Sequence, residues 1–177
     1  VPALLEAHYG VPLAACVLVA INIRLHPDEI LYILNHSGSK ILFVDTELSS
    51  LITPIRDKLK TVRAIVNIRD TEAASPLEGP EYEAFIASGS EEALSIPVED
   101  ENETISINYT SGTTGFPKGV MYTHRGAYLN AISEAMELNM TSNAIYLWTL
   151  PMFHCNGWCY TWAVTAVGGT HICLRRV

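Results

Sequence analysis

Residues 104–123 read TISINYTSGTTGFPKGVMYT, and the way this run divides decides the fold. Ile105, Ile107 and Tyr109 alternate with Ser106 and Asn108, the period-two pattern of a strand, and that strand runs straight into Thr110-Ser111-Gly112-Thr113-Thr114-Gly115. A second short strand, 119–123, follows Pro117-Lys118. The stretch TSGTTGFPKG at 110–119 therefore bridges two strands, and it holds four hydroxyls, three glycines and one lysine. Glycines let successive backbone N–H groups turn toward one anion, the hydroxyls donate further hydrogen bonds, and the lysine adds a point charge. This is the chemistry of a phosphate cradle. A P-loop needs G-x-x-x-x-G-K-[ST] with a helix opening at the lysine. Here Lys118 follows Pro117 and a strand comes next. A plain Gly/Ser/Thr hairpin with no ligand is the other alternative.

Working outward, short apolar runs alternate with helical segments, which predicts an α/β fold of largely parallel sheets flanked by helices. Residues 27–36 (PDEILYILNH) read as a helix, with Pro27 at its first position, Asp28 and Glu29 in its first turn, and Ser37-Gly38 as its stop. Strands are expected at 17–21, 41–44 and 62–68, with a helix over 48–59 interrupted at Pro54. Past the loop, helices are expected over 125–138 and 158–167, and strands at 144–150 and 170–174.

Charge divides the chain as sharply as pattern does. The net charge of −8 comes from 11 Lys+Arg against 19 Asp+Glu. Eleven of those acids fall between Asp70 and Glu103, a stretch without Lys or Arg. No acid occurs from Thr104 through Ser133, the segment holding the proposed anion site. An acidic surface argues against nucleic-acid and anionic-membrane partners. The longest apolar run, 11–21, contains Pro12 and is too short to span a bilayer. Three parts are expected: a subdomain over 1–69, an acidic, solvated connecting segment over 70–103, and a nucleotide-binding subdomain over 104–177. Cys16, Cys155, Cys159 and Cys173 show no CxxC, so reduced thiols in a cytoplasmic protein are expected. A zinc site at His154, Cys155 and Cys159 lacks a second ligand pair. Four Asn-x-Ser/Thr triplets are expected to be chance, since no signal peptide is visible.

YTSGTTGFPKGV at 109–120 resembles the phosphate-binding signature of the adenylate-forming superfamily, which includes acyl- and aryl-CoA synthetases, peptide-synthetase adenylation domains and firefly luciferase. LPMFHCNGW at 150–158 resembles that family's next motif, and residues 10–45 resemble the run that precedes the signature in acyl-CoA synthetases. The wording of 151–162 is most similar to fatty-acyl and related ligases. The resemblance implies part of the large N-terminal domain of that fold. It also implies ATP-dependent activation of a carboxylic acid to an acyl-adenylate, followed by transfer to coenzyme A.

Carried onto this sequence, the resemblance has Thr110, Ser111, Gly112, Thr113, Thr114 and Gly115 wrap the β- and γ-phosphates. Thr110 would lie closest to Mg²⁺, and Lys118 would neutralise the leaving pyrophosphate. His154 would orient the carboxylate and the α-phosphate, so His154 and Lys118 are the expected catalytic residues. Cys155 and Trp158 would line the acyl pocket. A structural role for His154, and a core stripe formed by Trp158 and Trp162, are the competing readings. The implied small molecules are ATP, Mg²⁺, a carboxylate and coenzyme A. The family's adenine, ribose and C-terminal lysine motifs are absent from the sequence, so a fragment inactive by itself is expected, with the missing C-terminal portion as its partner. A homodimer through Asn22 to Leu25 is a further expectation. A peptide-synthetase adenylation module and a non-catalytic nucleotide-binding fragment are the alternative functions.

Overall fold

The computed structural model describes residues 1–72, 76–110 and 115–175. Its elements, in chain order, are α1 (Pro2–Leu13), β1 (Leu18–Val19), α2 (Pro27–Ser37), β2 (Ile41–Asp45), α3 (Ser49–Ile52), β3 (Ala64–Ile68), α4 (Tyr82–Ala87), β4 (Thr104–Thr110), β5 (Lys118–Thr123), α5 (His124–Glu137), β6 (Ile145–Leu147), α6 (Cys155–Trp158), α7 (Tyr160–Ala166) and β7 (Thr170–Ile172). Among the described residues three small sheets form, ordered β1-β4-β5, β2-β3 and β6-β7. Every pairing is parallel except β4 with β5. This is the α/β class that the apolar runs predict.

The described residues fall into two compact units, one within Val1–Ala20, Leu94–Gly112 and Lys118–Val177, the other within Ile21–Ala93 and Thr113–Pro117. The grouping does not follow chain order, because β1 pairs with β4: Leu18 lies beside Ser106 and Val19 beside Ile107. The expected boundary at residue 69 is drawn on charge, whereas strand pairing sends the first twenty residues to the later part of the chain.

In the second unit, local signals and packing agree. Pro27 opens α2 at a position that needs no N–H partner. His26 caps it, accepting from the Asp28 N–H at 3.3 Å while its own N–H donates to Glu29 Oε2 at 2.9 Å. Gly38 ends the helix at φ 71°, a left-handed stop that costs a glycine nothing. The buried face of α2, including Ile30 and Leu34, packs with Leu42, Val44, Ile52, Ile55 and Ile65 into one aliphatic core. The helix expected over 48–59 is a correction. Only Ser49–Ile52 is α-helical, and Thr53–Lys58 continues as a 3₁₀ helix. Pro54 carries no N–H to extend the α-helical ladder, so the chain tightens instead.

The acidic stretch is also less solvated than its charge suggests. The Asn67 side chain donates to the Leu77 carbonyl and accepts from the Leu77 N–H, both at 2.9 Å, and Asn67 bridges to Glu81. Tyr82 and Phe85 of α4 meet Phe43 edge-on at 6.0 and 5.8 Å. From Glu83 to Glu103 every residue is exposed.

The first unit is built differently. Helix α5 buries Ala127, Ala131 and Ala135, one per turn, and Ala131 packs against Cys159 and Ala163 beside α7. Small side chains let two helices approach closely. Among them lie buried polar groups, His8, Ser106, Asn108, Asn156 and Thr161.

Candidate functional site

Strand β4 is the spine of the site. Its side chains alternate faces, so Ser106, Asn108 and Thr110 share one side. Ser106 and Asn108 are buried and Thr110 is exposed at the strand end. The antiparallel register sets Thr110 opposite Lys118, so the two residues bracket the loop 111–117 as the spacing predicts. Lys118 is exposed at the start of β5. Gly119 behind it packs tightly, since a Cβ there would come within 2.8 Å of Ile107 Cγ2. Gly115, at φ 142° in open space, belongs to the second unit, as does Phe116. Phe116 stacks on Tyr32 of α2 at 4.8 Å, and Tyr32 stacks on His36 at 5.1 Å. The expected phosphate ligands Ser111, Gly112, Thr113 and Thr114 lie outside the described residues.

The buried polar side chains of β4 hold the segment that carries His154. Asn108 Nδ2 donates to the Phe153 carbonyl at 3.0 Å, and Ser106 Oγ donates to Asn156 Oδ1 at 2.8 Å. His154 lies between these two anchors and is itself exposed. Its Nε2 is 3.7 Å from the sulfur of half-buried Cys155. Among the described residues, no three His, Cys, Asp or Glu side chains gather as metal ligands.

The backbone after His154 departs from the expected helix over 158–167. Cys155, Asn156, Gly157, Trp158 and Cys159 all have positive φ, between 50° and 65°, and right-handed helix begins only at Tyr160. Each non-glycine residue in such a conformation costs about 1–2 kcal/mol. The run persists because its surroundings hold it. The Asn156 carbonyl accepts from Thr161 Oγ1 at 3.2 Å, and the Trp158 carbonyl accepts from Asn130 Nδ2 at 3.3 Å. Gly157 lies close against Trp148, where a Cβ would come within 2.8 Å of Cη2. Trp148 is fixed in turn, donating from Nε1 to His171 Nδ1 at 3.0 Å. The reversal of hand breaks the four-residue spacing of Trp158 and Trp162, so they form no helical stripe. Trp158 is 54% exposed, while the Trp162 ring meets His8 edge-on at 5.8 Å.

Burial sets the acid–base character here. It pushes the Cys159 thiol up, which keeps that cysteine protonated and unreactive. Burial, followed by the neighbouring Cys155, also pushes the Tyr122 hydroxyl up. Tyr160 is pushed up to about 12, by burial first and then by Glu134, whose carboxylate accepts its hydroxyl at 2.9 Å. His8, donating from Nδ1 to the Leu4 carbonyl at 2.7 Å, is held below its usual range by burial. Sequence reading missed Ser106, Asn108, Asn156, Asn130 and His8. The signal for the first two was present, because they alternate in step with Thr110.

A family model described as AMP-binding enzyme matches residues 1–177. The chain is 45% identical over 180 residues to 4-hydroxybutyrate–CoA ligase 2 of Metallosphaera sedula, covering 99% of this chain and 33% of that protein. It is 45% identical over 191 residues to an acetate–CoA ligase of Humulus lupulus, covering 100% and 34%. A crystal structure of a long-chain-fatty-acid-CoA ligase from Archaeoglobus fulgidus superposes with a TM-score of 0.80 at 28% identity, covering 93% of this chain and 31% of that one. The chain thus spans about a third of the length of the curated relatives it matches. With a match along its whole length, paired strands on either side of the signature and a second motif anchored to the first of them, the chain belongs to the AMP-binding enzyme family.

Proposed function

We infer that this chain carries the phosphate loop and part of the acyl pocket of an ATP-dependent acid–CoA ligase, which converts a fatty or other acyl acid to its acyl-adenylate and passes the acyl group to coenzyme A. The observation that carries the reading is the Thr110–Lys118 register pair, both side chains exposed at the two ends of the signature loop. The names of the relatives, ligases for 4-hydroxybutyrate, acetate and long-chain fatty acids, support carboxylate activation without fixing chain length.

The electrostatic problem is that a carboxylate must approach a triphosphate and a dianionic product must leave. Lys118 supplies positive charge where the pyrophosphate departs, and the loop's backbone donors supply the rest. His154, exposed between its two anchors, orients the carboxylate against the α-phosphate, and Cys155 and Trp158 border the acyl chain. Mg²⁺ fits as an ion carried on the nucleotide: Thr110 offers a single neutral oxygen, and Mg²⁺ keeps mostly water and phosphate oxygens around it. When bound, it neutralises phosphate charge. Cytoplasmic placement and a homodimer through Asn22 to Leu25 remain part of the proposal. Among the described residues, no helix is long and apolar enough to cross a membrane.

Calorimetric titration of the chain with Mg·ATP and with pyrophosphate tests the reading. Saturable binding is expected, weakened about tenfold or more in Lys118→Ala, the scale of one charge-assisted hydrogen bond. Absence of binding by either ligand, or equal affinity in the variant, rejects it. ATP–pyrophosphate exchange by the chain alone is expected to be undetectable, since remote binding groups drive the chemical step. Measurable exchange would overturn that expectation.

A further inference from the structure

Five successive residues, 155–159, adopt left-handed backbone directly after His154, and four of them are not glycine. Such a run is not stable on its own preferences, so something outside it must select it. Cys155 and Trp158 do not qualify, being partly or largely exposed. Cys159 is buried but takes its place among the small side chains of α5 and α7. Asn156 differs from the rest. It is fully buried, its side chain accepts from Ser106 at 2.8 Å, and its carbonyl accepts from Thr161 at 3.2 Å. Asparagine also tolerates left-handed backbone better than most residues.

The bond to Ser106 matters for a second reason. Ser106 and Asn108 lie two residues apart on one face of β4, and they grip the chain just before and just after His154, at the Phe153 carbonyl and the Asn156 amide. One rigid strand thus fixes both flanks of an exposed imidazole. We propose that Asn156 is the positioning residue of this site: its buried amide, held by Ser106, keeps 155–159 in the left-handed turn and so sets the directions in which His154 and Trp158 are presented. The proposal rests on the reading above for the roles of His154 and Trp158, although the positioning itself is observable without any ligand.

The test uses the whole 177-residue chain labelled with fluorotryptophan and with isotopically labelled histidine. The three tryptophans give separate fluorine resonances, assigned through Trp158→Phe, and the His154 imidazole is followed through its ring resonances, assigned through His154→Ala. Asn156→Gly keeps the left-handed backbone accessible but removes the amide, and Ser106→Ala removes only the anchor. Both variants are expected to displace the Trp158 resonance and the His154 ring resonances, while the Trp148 and Trp162 resonances stay sharp and report a folded unit. Should Asn156→Gly not fold, Ser106→Ala carries the same readout. Wild-type Trp158 and His154 signals in a folded variant that is merely less stable would overturn the proposal and leave Asn156 as packing. Titrating the same unlabelled chain with pyrophosphate separates the two ideas. Failure to bind removes the phosphate reading alone, whereas an unmoved Trp158 resonance removes the positioning role alone.

Discussion

The two units solve the problem of a folded interior with different materials. The unit around α2 has a core of Ile, Leu and Val, where each side chain contributes apolar area and needs no partner. The unit around β4 adds to its apolar residues, Ile105, Trp148 and Val164 among them, a larger set of buried polar groups, His8, Ser106, Asn108, Asn156 and Thr161, against Thr46, Ser49 and Asn67 in the other unit, and burying such groups is costly unless they are hydrogen-bonded. An aliphatic core is forgiving of direction. A polar one fixes direction, because a hydrogen bond made at the wrong angle is lost. The proposed site residues His154, Thr110 and Lys118 all lie at the surface of the unit around β4.

The largest effect expected from this contrast is in the aliphatic core. Leu34 is 1% exposed and packs among residues from α2, β2, β3 and the turn after α3. Leu34→Ala should lower stability by about 3–4 kcal/mol through lost transfer energy and the cavity left behind. Urea unfolding followed by circular dichroism measures it. Trp148, Trp158 and Trp162 are the only tryptophans, and all lie in the other unit. A loss under about 1 kcal/mol would mean that this core is not where the unit's stability lies.

Next comes Gly157→Ala, at about 3 kcal/mol. A methyl group there meets the Trp148 ring and must also adopt φ 59°. Tryptophan fluorescence and urea unfolding should show the loss, with the Trp148 emission altered even in the folded state. A neutral result would mean that the tight contact of Gly157 with Trp148 does not exist in solution.

These two positions also show what the sequence discloses. Around Leu34 every signal is local: Pro27 and the acids of the first turn, the apolar spacing, and Gly38 as the stop. The helix accordingly forms where the pattern places it. Strands β4 and β5 were legible for the same reason. The left-handed run was not. Nothing in HCNGWC announces five positive φ angles, because they are imposed by Ser106, some fifty residues earlier, and by Trp148 and Thr161. Asn67 is a similar case. An acidic run looks solvated until one buried amide on β3 captures the Leu77 backbone. Interactions between distant residues leave no periodicity, so the contacts that anchor the backbone on either side of His154 were hidden while the motif proposed to cradle phosphate was plain.

Acid should separate the units by a smaller margin. His8 is buried with Nδ1 committed to the Leu4 carbonyl, the Trp162 edge against the ring and the Asn156 amide nearby, and burial lowers its pKa. The neutral ring is therefore the folded form, and the unfolded chain binds a proton first. Its contribution to stability is complete above the ordinary histidine value of about 6.5 and declines as pH falls below it, with a slope of at most about 1.4 kcal/mol per pH unit for one proton. His8→Gln should flatten that decline in tryptophan-monitored unfolding. Among the described residues the α2 unit buries no titratable side chain, so Leu34→Ala should cost the same at pH 5 as at pH 7. An equal acid response in His8→Gln and wild type would sink the assignment.

At the surface the contrast should vanish. Each unit carries an Arg–Glu pair of the same length, Arg56–Glu78 and Arg125–Glu101, both at 2.6 Å, and each draws its acid from the acidic stretch. All four side chains are at least two-fifths exposed, so solvent screens the charges and side-chain ordering offsets much of the attraction. Arg56→Ala and Arg125→Ala should each cost no more than about 0.5 kcal/mol, less in high salt. A loss of 2 kcal/mol or more from Arg125→Ala alone, persisting in salt, would show that the first unit uses its surface charges as it uses its buried amides, to hold direction, and that the difference between the units extends beyond their cores.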